Sequence, residues 1–275
     1  MPIPKIIHYC WFGGKPLPEV AQKCITSWKK NLPDYELKLW NETNFDINTV
    51  QFTAQAAKAK KWAFVADYLR AHVIFYYGGI YLDTDVELLK PYDNVMLQNK
   101  CFSGFENIEY VNPGNIFAGE KGCSIAKELM DFYLSYNFIR KNGELNLTPI
   151  PEIFSSILLK YGLQQNNTYQ ELGVITIYPT EYFCPKDFHT GMISITNNTY
   201  SIHHYAGSWV PENEQKLNHE KWDFYKKYGN DEYVVNMYNK LKDYEEKIIY
   251  NAPIKLLYKT AVKRTIRKIS KIFKK

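Results

Sequence analysis

The chain opens on an apolar, β-prone run, Lys5-Ile6-Ile7-His8-Tyr9, closed by Trp11-Phe12-Gly13-Gly14, which predicts a strand running into a tight loop. Pro18-Glu19 then opens a helix reaching about Lys30, and Leu32-Pro33-Asp34 ends it. Tyr35 to Trp40 alternates apolar and polar residues as a second strand, so the N-terminal region reads as a β-α-β unit of the kind that builds parallel sheets. From Trp62 to Tyr77 the positions Val65, Leu69, Val73 and Tyr76 recur at spacings of three and four. That spacing predicts a helix with a core-facing stripe, stopped by Gly78-Gly79. Ile80-Tyr81-Leu82 follows as a short buried strand and sets Asp83-Thr84-Asp85 at its carboxyl end, the edge where open α/β sheets bind ligands.

Farther along, Ile125–Ile139, Glu152–Lys160, Glu214–Tyr228 and Asp231–Ile249 read as helices, and Val174–Tyr178 and Ser201–Tyr205 as strands. Asn142 to Pro151 and Gln164 to Thr168 are polar, turn-rich connections, with no internal repeat and no second autonomous core. The expected class is α/β, with a mostly parallel central sheet, helices on both faces and added C-terminal helices. With 45% hydrophobic and 23% charged residues, a disordered polymer is excluded. No apolar run is long enough to span a bilayer, and the N-terminus lacks a signal-peptide pattern, so a cytoplasmic location is expected. The five cysteines are scattered and never spaced C-x-x-C; they read as small core residues rather than a disulfide framework or zinc knuckle.

The net charge of +5 is unevenly placed. Residues 253–275 carry nine Lys and Arg and no acid, leaving the rest of the chain at −4. Between Ile254 and Phe273 apolar residues keep helical spacing while Lys255, Lys259, Lys263, Arg267 and Lys271 recur every four residues. This predicts a basic amphipathic helix over 251–275, following a domain over 1–250. It either lies on an anionic membrane or packs on the body with its basic face in water. A generally nucleic-acid-binding surface is not expected.

Asp83 and Asp85 are two apart, so on an extended chain both carboxylates share one face. Such a pair is either a solvated acidic turn or a site for a divalent cation, with hard oxygen ligands favouring Mn²⁺ or Mg²⁺ over zinc. Glu87 continues the alternation as a supporting group or a surface carboxylate. Asp67 and Arg70 share a helix face away from the Val65–Leu69–Val73 stripe; they either pair with each other or meet a bound sugar. Trp11, beside Gly13-Gly14, is either a core indole or a platform for a flat base. His8 reads as a satisfied core histidine. His203 and His204 point to opposite faces of their strand, so only one reaches a shared metal, and Ser208 with Trp209 is placed to close over a phosphate.

Three blocks carry a resemblance: Ile3-Pro4-Lys5-Ile6-Ile7-His8-Tyr9-Cys10-Trp11-Phe12-Gly13-Gly14, Ala66-Asp67-Tyr68-Leu69-Arg70, and Tyr77-Gly78-Gly79-Ile80-Tyr81-Leu82-Asp83-Thr84-Asp85. Together they resemble glycosyltransferase family 32, and look like the corresponding blocks of the large clostridial glucosylating toxins. The similarity covers roughly the first hundred residues and returns at His203 to Trp209. It implies a GT-A fold, a metal-dependent nucleotide-sugar donor and retention of anomeric configuration. By position it makes Trp11 the base-stacking indole, Asp67 and Arg70 the ribose or donor-sugar pair, and Asp83 with Asp85 the D-x-D motif. His203 takes the late metal-ligand position, where the toxins carry a carboxylate.

The resulting expectation is a hexosyltransferase with Asp83, Asp85 and Arg70 as catalytic residues and Mn²⁺ or Mg²⁺ on Asp83, Asp85 and His203. The nucleotide sugar, a UDP-hexose or N-acetylhexosamine ahead of GDP-mannose, is expected to meet Trp11, Asp67, Arg70, Asp83, Ser208 and Trp209. Asn112 to Gly119 is expected to line the sugar pocket, with Asn115 touching a hydroxyl. The acceptor would be a glycan or lipid-linked oligosaccharide of surface polysaccharide synthesis, met at the inner face of the plasma membrane. A non-catalytic sugar-nucleotide or glycan-binding module is the alternative. Adjacent metal-binding aspartates suit a glycoside hydrolase poorly, because its two carboxyl groups flank a bond about 5–10 Å apart.

Overall fold

In the computed structural model, which describes residues 2–92, 94–207, 210, 212–230 and 232–251, the chain folds around a seven-stranded mixed sheet. The elements up to the D-x-D turn are β1 (Ile6–Cys10), α1 (Glu19–Asn31), β2 (Glu36–Trp40), α2 (Gln51–Lys58), α3 (Trp62–Tyr77) and β3 (Gly79–Tyr81). Then come β4 (Val86–Leu88), α4 (Asn94–Leu97), β5 (Cys101–Gly104), β6 (Phe117–Gly119), α5 (Ser124–Ser135) and α6 (Ile150–Leu158). The remainder is β7 (Gln170–Glu171), β8 (Thr176–Tyr178), α7 (Thr180–Phe183), β9 (Ser201–His203), α8 (Glu212–Tyr228) and α9 (Glu232–Asn251).

The strand order is β2-β1-β3-β6-β5-β8-β7. β1 pairs in parallel with both β2 and β3, β5 with β8, while β6 and β7 run against their neighbours. Five of the seven strands therefore point one way, as the β-α-β start predicts. Alternate strand residues feed two separate cores. Tyr81, Cys101, Phe117 and Ile177 join the one built on α2, α3, α5 and α6. Ile7, Ile80, Phe102, Ala118 and Tyr178 join the one built on α1 and α7. Helices thus cover both faces, and β3, β5, β6 and β8 are buried at every residue.

α3 is buried at every residue from Phe64 to Ala71, which is why its stripe is not a simple amphipathic one. Val65, Leu69 and Val73 are fully buried as expected, but Tyr76 is 47% exposed, while its neighbour Tyr77 packs against Trp40 of β2 with ring centroids 5.3 Å apart. Gly78 caps the helix at φ 66°, a left-handed conformation that favours glycine, and its N–H bonds Ile74 O at 2.9 Å. β4 and β9 form a separate two-stranded sheet. The other edge of β4 is sealed by α1, where Trp28 Nε1 donates to Val86 O (2.7 Å), Asn31 to Leu88 O (2.9 Å), and Leu88 N–H to Ser27 Oγ (2.9 Å).

Several boundaries differ from the sequence expectation. α5 stops at Ser135 because Tyr136 is extended and Ile139 bridges to Leu145. β8 begins at Thr176, and β9 ends at His203 because Tyr205 turns into the left-handed region at φ 55°. Contacts divide the chain into two compact units, Met1–Glu220 and Lys221–Lys275. In the second unit, Phe224 and Tyr225 of α8 meet Tyr238 of α9 with ring centroids 5.1 and 5.4 Å apart. The basic helix expected over 251–275 lies, but for Asn251, outside the described residues, as do Ser208 and Trp209. No helix among the described residues is long and apolar enough to cross a membrane.

Candidate active site

Parallel pairing of β1 with β3 continues past the strand end, where Leu82 N–H bonds His8 O at 3.1 Å, so Asp83-Thr84-Asp85 emerges at the sheet's carboxyl edge. The two aspartates then separate. Asp83 N–H donates to Gly114 O (2.9 Å), and its Oδ1 accepts from Tyr81 Oη (2.9 Å) and lies 3.4 Å from Arg70 Nη2. Asp85 Oδ1 lies 3.2 Å from His203 Nε2, while its Oδ2 accepts the Ala206 N–H (2.7 Å) and its carbonyl accepts the His204 N–H (2.9 Å). The neighbouring His204 turns away to Glu87 Oε2 at 2.8 Å. Opposite-face alternation therefore sorts the pair as expected, His203 to the D-x-D motif and His204 to Glu87, which is a histidine partner rather than a free surface carboxylate.

Burial works against charge on both members of the Asp85–His203 pair, yet their mutual attraction prevails. Asp85 is held at about 2 by His203 and the Ala206 N–H, and Asp85 pushes His203 well above the usual imidazole range. Asp67 and Arg70 form a 2.9 Å ion pair, and both are buried, not on an exposed helix face. Burial pushes Asp67 up to about 7 although Arg70 opposes it. Arg70 Nε also donates to Ala66 O (3.3 Å), its guanidinium lies over the Tyr81 ring (5.1 Å), and its Nη1 is buried without a partner.

Trp11 is half-buried, its indole Nε1 donating to Lys15 O (2.6 Å) and its backbone N–H to Trp40 O (2.9 Å). It is thus a loop residue with part of its ring accessible rather than a core indole. His8 is the satisfied core histidine expected. Trp40 Nε1, a donor only, bonds its Nδ1 (3.0 Å), so Nε2 carries the proton to Gly78 O (2.8 Å).

The 112–115 turn forms a wall beside Asp83. Gly114 fits because any Cβ there would overlap Asp83 Oδ2 and come within 2.7 Å of Arg70 Nη1 and 2.9 Å of Asn112 Oδ1. Asn115 is fully buried with both amide atoms unpartnered. Glu106, Asn112, Gly114 and Tyr205 are absent from the sequence expectation of individual site residues; the Asn112-Pro113-Gly114-Asn115 turn signature was the available signal. A cleft of about 300 Å³ beside the Glu87–His204 pair, lined also by Glu19, Val20 and Lys23, contains none of Asp83, Asp85 or His203.

Among the described residues no three His, Cys, Asp or Glu side chains converge to hold a metal. Of the expected Asp83–Asp85–His203 set, Asp83 faces Arg70 and Tyr81, while Asp85 and His203 lie together. Two atoms 3.2 Å apart can both reach one ion at about 2.1 Å, and Mg²⁺-type ions keep water and substrate phosphates as their other ligands. The Asp85–His203 pair can hold such an ion once the proton shared between them leaves and His203 Nε2 is free to coordinate.

Residues 18–102 match the family model for a glycosyltransferase sugar-binding region containing a DXD motif. Inositol phosphoceramide mannosyltransferase 3 of Schizosaccharomyces pombe is 26% identical over 156 residues, covering 50% of this chain and 40% of that protein. The uncharacterized glycosyltransferase L373 of Acanthamoeba polyphaga mimivirus is 23% identical over 219 residues, 76% of this chain and 84% of its own. Among solved structures, the PaToxG glycosyltransferase aligns over 58% of this chain and 70% of its own, with 22% identity and a TM-score of 0.48. The chain thus spans less than half the length of the fission-yeast relative. Over residues 18–102 it is similar to DXD-containing glycosyltransferases, and that region carries Trp62 to Asp85, the helix and turn that supply Asp67, Arg70, Asp83 and Asp85.

Proposed function

We propose that this protein is a retaining, divalent-metal-dependent glycosyltransferase that moves a hexose or N-acetylhexosamine from a nucleotide diphosphate to a glycan or lipid-linked acceptor in surface polysaccharide synthesis. The observation that carries the reading is the Asp85–His203 pair, 3.2 Å apart at the sheet's carboxyl edge beside the buried Asp67–Arg70–Asp83 network. Asp85 and His203 would hold Mn²⁺ or Mg²⁺; when bound, such an ion neutralises the charge that grows on a departing diphosphate. Arg70, kept cationic against its burial by the carboxylate of Asp83, has an unpartnered Nη1 to direct at the donor. Trp11 offers a stacking face to the base, and Asn115 an unpaired amide to a sugar hydroxyl. Retention, the family 32 assignment and the UDP-sugar preference rest on the sequence resemblance. The name of the fission-yeast relative refers to a mannosyl transfer onto a phosphoceramide, which supports a lipid-borne acceptor and places mannose donors in the same screen.

The test is a panel of nucleotide sugars assayed for release of free nucleotide with Mn²⁺, Mg²⁺ or chelator. Release from one donor class, abolished by chelator, is expected. Release that persists in chelator would contradict the metal assignment, and tight donor binding without turnover would favour a binding module.

A further inference from the structure

The loop after β9 holds Asp85 by its backbone: the His204 N–H bonds the Asp85 carbonyl at 2.9 Å and the Ala206 N–H its Oδ2 at 2.7 Å. Between them Tyr205 stands in the left-handed region at φ 55°. A non-glycine residue in that conformation persists only where its surroundings over-determine it. Much of that surrounding comes from one stretch of chain, from the end of α7 onward. It runs beside β9, with the Tyr200 N–H on Tyr182 O at 2.8 Å and Ser201 Oγ on Phe183 O at 3.3 Å. Alternate residues of the stretch then meet the loop. Cys184 Sγ lies 3.0 Å from Tyr205 Oη, Lys186 Nζ donates to His204 O at 2.7 Å, and the Phe188 ring lies 5.1 Å from that of Tyr205. Lys186 is buried, and a hairpin fixes its backbone: it bridges Ile193, the Asp187 N–H bonds Met192 O at 2.9 Å, and Asp187 Oδ1 accepts the Thr190 N–H and hydroxyl at 2.7 Å each. Both peptide groups that flank His204 are thereby held, the N–H on Asp85 and the C=O on Lys186.

We propose that Lys186 is a positioning residue: its side chain pins His204 O and so keeps the Ala206 N–H on Asp85 Oδ2, which leaves Oδ1 turned toward His203. Methionine at this position keeps an apolar stem of similar length but has no donor, whereas arginine still donates to the carbonyl. This inference rests on the functional reading of the site, so its test has one readout that needs no metal.

In hydrogen–deuterium exchange on the full chain, Lys186→Met is expected to speed exchange of the His204 and Ala206 amides at least about tenfold while leaving α5 amides unchanged, and Lys186→Arg to restore wild-type rates. Thr190→Ala, which loosens the hairpin turn and leaves the donor in place, is expected to keep both amides at wild-type rates. In Mn²⁺ titrations followed by paramagnetic resonance, Lys186→Met is expected to weaken binding about 10–100-fold, the range for loss of a group supporting a metal ligand, with Lys186→Arg and Thr190→Ala close to wild type. Wild-type exchange at those two amides in Lys186→Met, unchanged Mn²⁺ affinity in that variant, or an arginine or Thr190→Ala chain as impaired as methionine would overturn the assignment. A wild-type chain that binds no Mn²⁺ would contradict the functional reading instead, and the exchange rates would still decide whether Lys186 holds the loop.

Discussion

Arg70 carries the most consequence for any single side chain, because its guanidinium is the shared counter-charge of Asp67 and Asp83. Arg70→Ala would leave Asp67 buried without its counter-charge; because burial already holds that carboxyl at about 7, protonation offsets part of the cost, and the loss is expected to fall below the about 3–5 kcal/mol of a fully charged broken pair. Adding Asp67→Asn to that variant is expected to return part of the loss in denaturant titrations. A single variant as stable as wild type would show that the pair is not buried as described. Trp11 makes the opposite prediction. With its ring partly accessible and outside both cores, Trp11→Ala should leave stability nearly unchanged and weaken nucleotide binding by about 1–3 kcal/mol, the worth of one base–aromatic stack. Unchanged affinity in calorimetry would remove the stacking role.

At the level of elements, β1 fixes the protonation state of its own histidine. The two hydrogen bonds of His8 suit only the neutral ring, and burial lowers its pKa from 6.5 to about 4. The unfolded chain therefore binds the extra proton first. The contribution is fully present above pH 6.5 and is lost as pH falls toward 4, amounting to about 3 kcal/mol over that window. Urea midpoints measured from pH 7 to 4.5 should fall more steeply for wild type than for His8→Gln; parallel slopes would refute the assignment. The same strand illustrates what a sequence makes legible. β1, α1, β2, α3 and β3 announce themselves through alternation, helical spacing, and Pro and Gly punctuation. β5 and β6 do not, since Cys101-Phe102-Ser103-Gly104 and Phe117-Ala118-Gly119 are short, buried on both faces and paired only over long range. Asp83, Asp85 and His203 were readable as motif positions. Asn112 was readable only as an end of the stretch expected to line the sugar pocket, and Glu106 was not, because only the β5 hairpin brings it to Asn112.

For the whole molecule, helices on both faces leave the carboxyl edge of the sheet as the place where polar side chains collect, and charge there is arranged in pairs. The nine basic residues of 253–275 lie in a segment of sequence without any acid. If this segment lies on an anionic membrane, anionic liposomes should float the full chain but not one ending near Asn251; equal flotation would dispose of the idea. The central claim, a divalent ion shared by Asp85, His203 and a diphosphate, is tested most directly by an anomalous map at the manganese edge from a crystal soaked with Mn²⁺ and UDP. The account predicts a single strong peak in contact with Asp85 Oδ1, His203 Nε2 and the diphosphate oxygens. A peak away from this pair, or nucleotide bound with no ion between Asp85 and its phosphates, would contradict it.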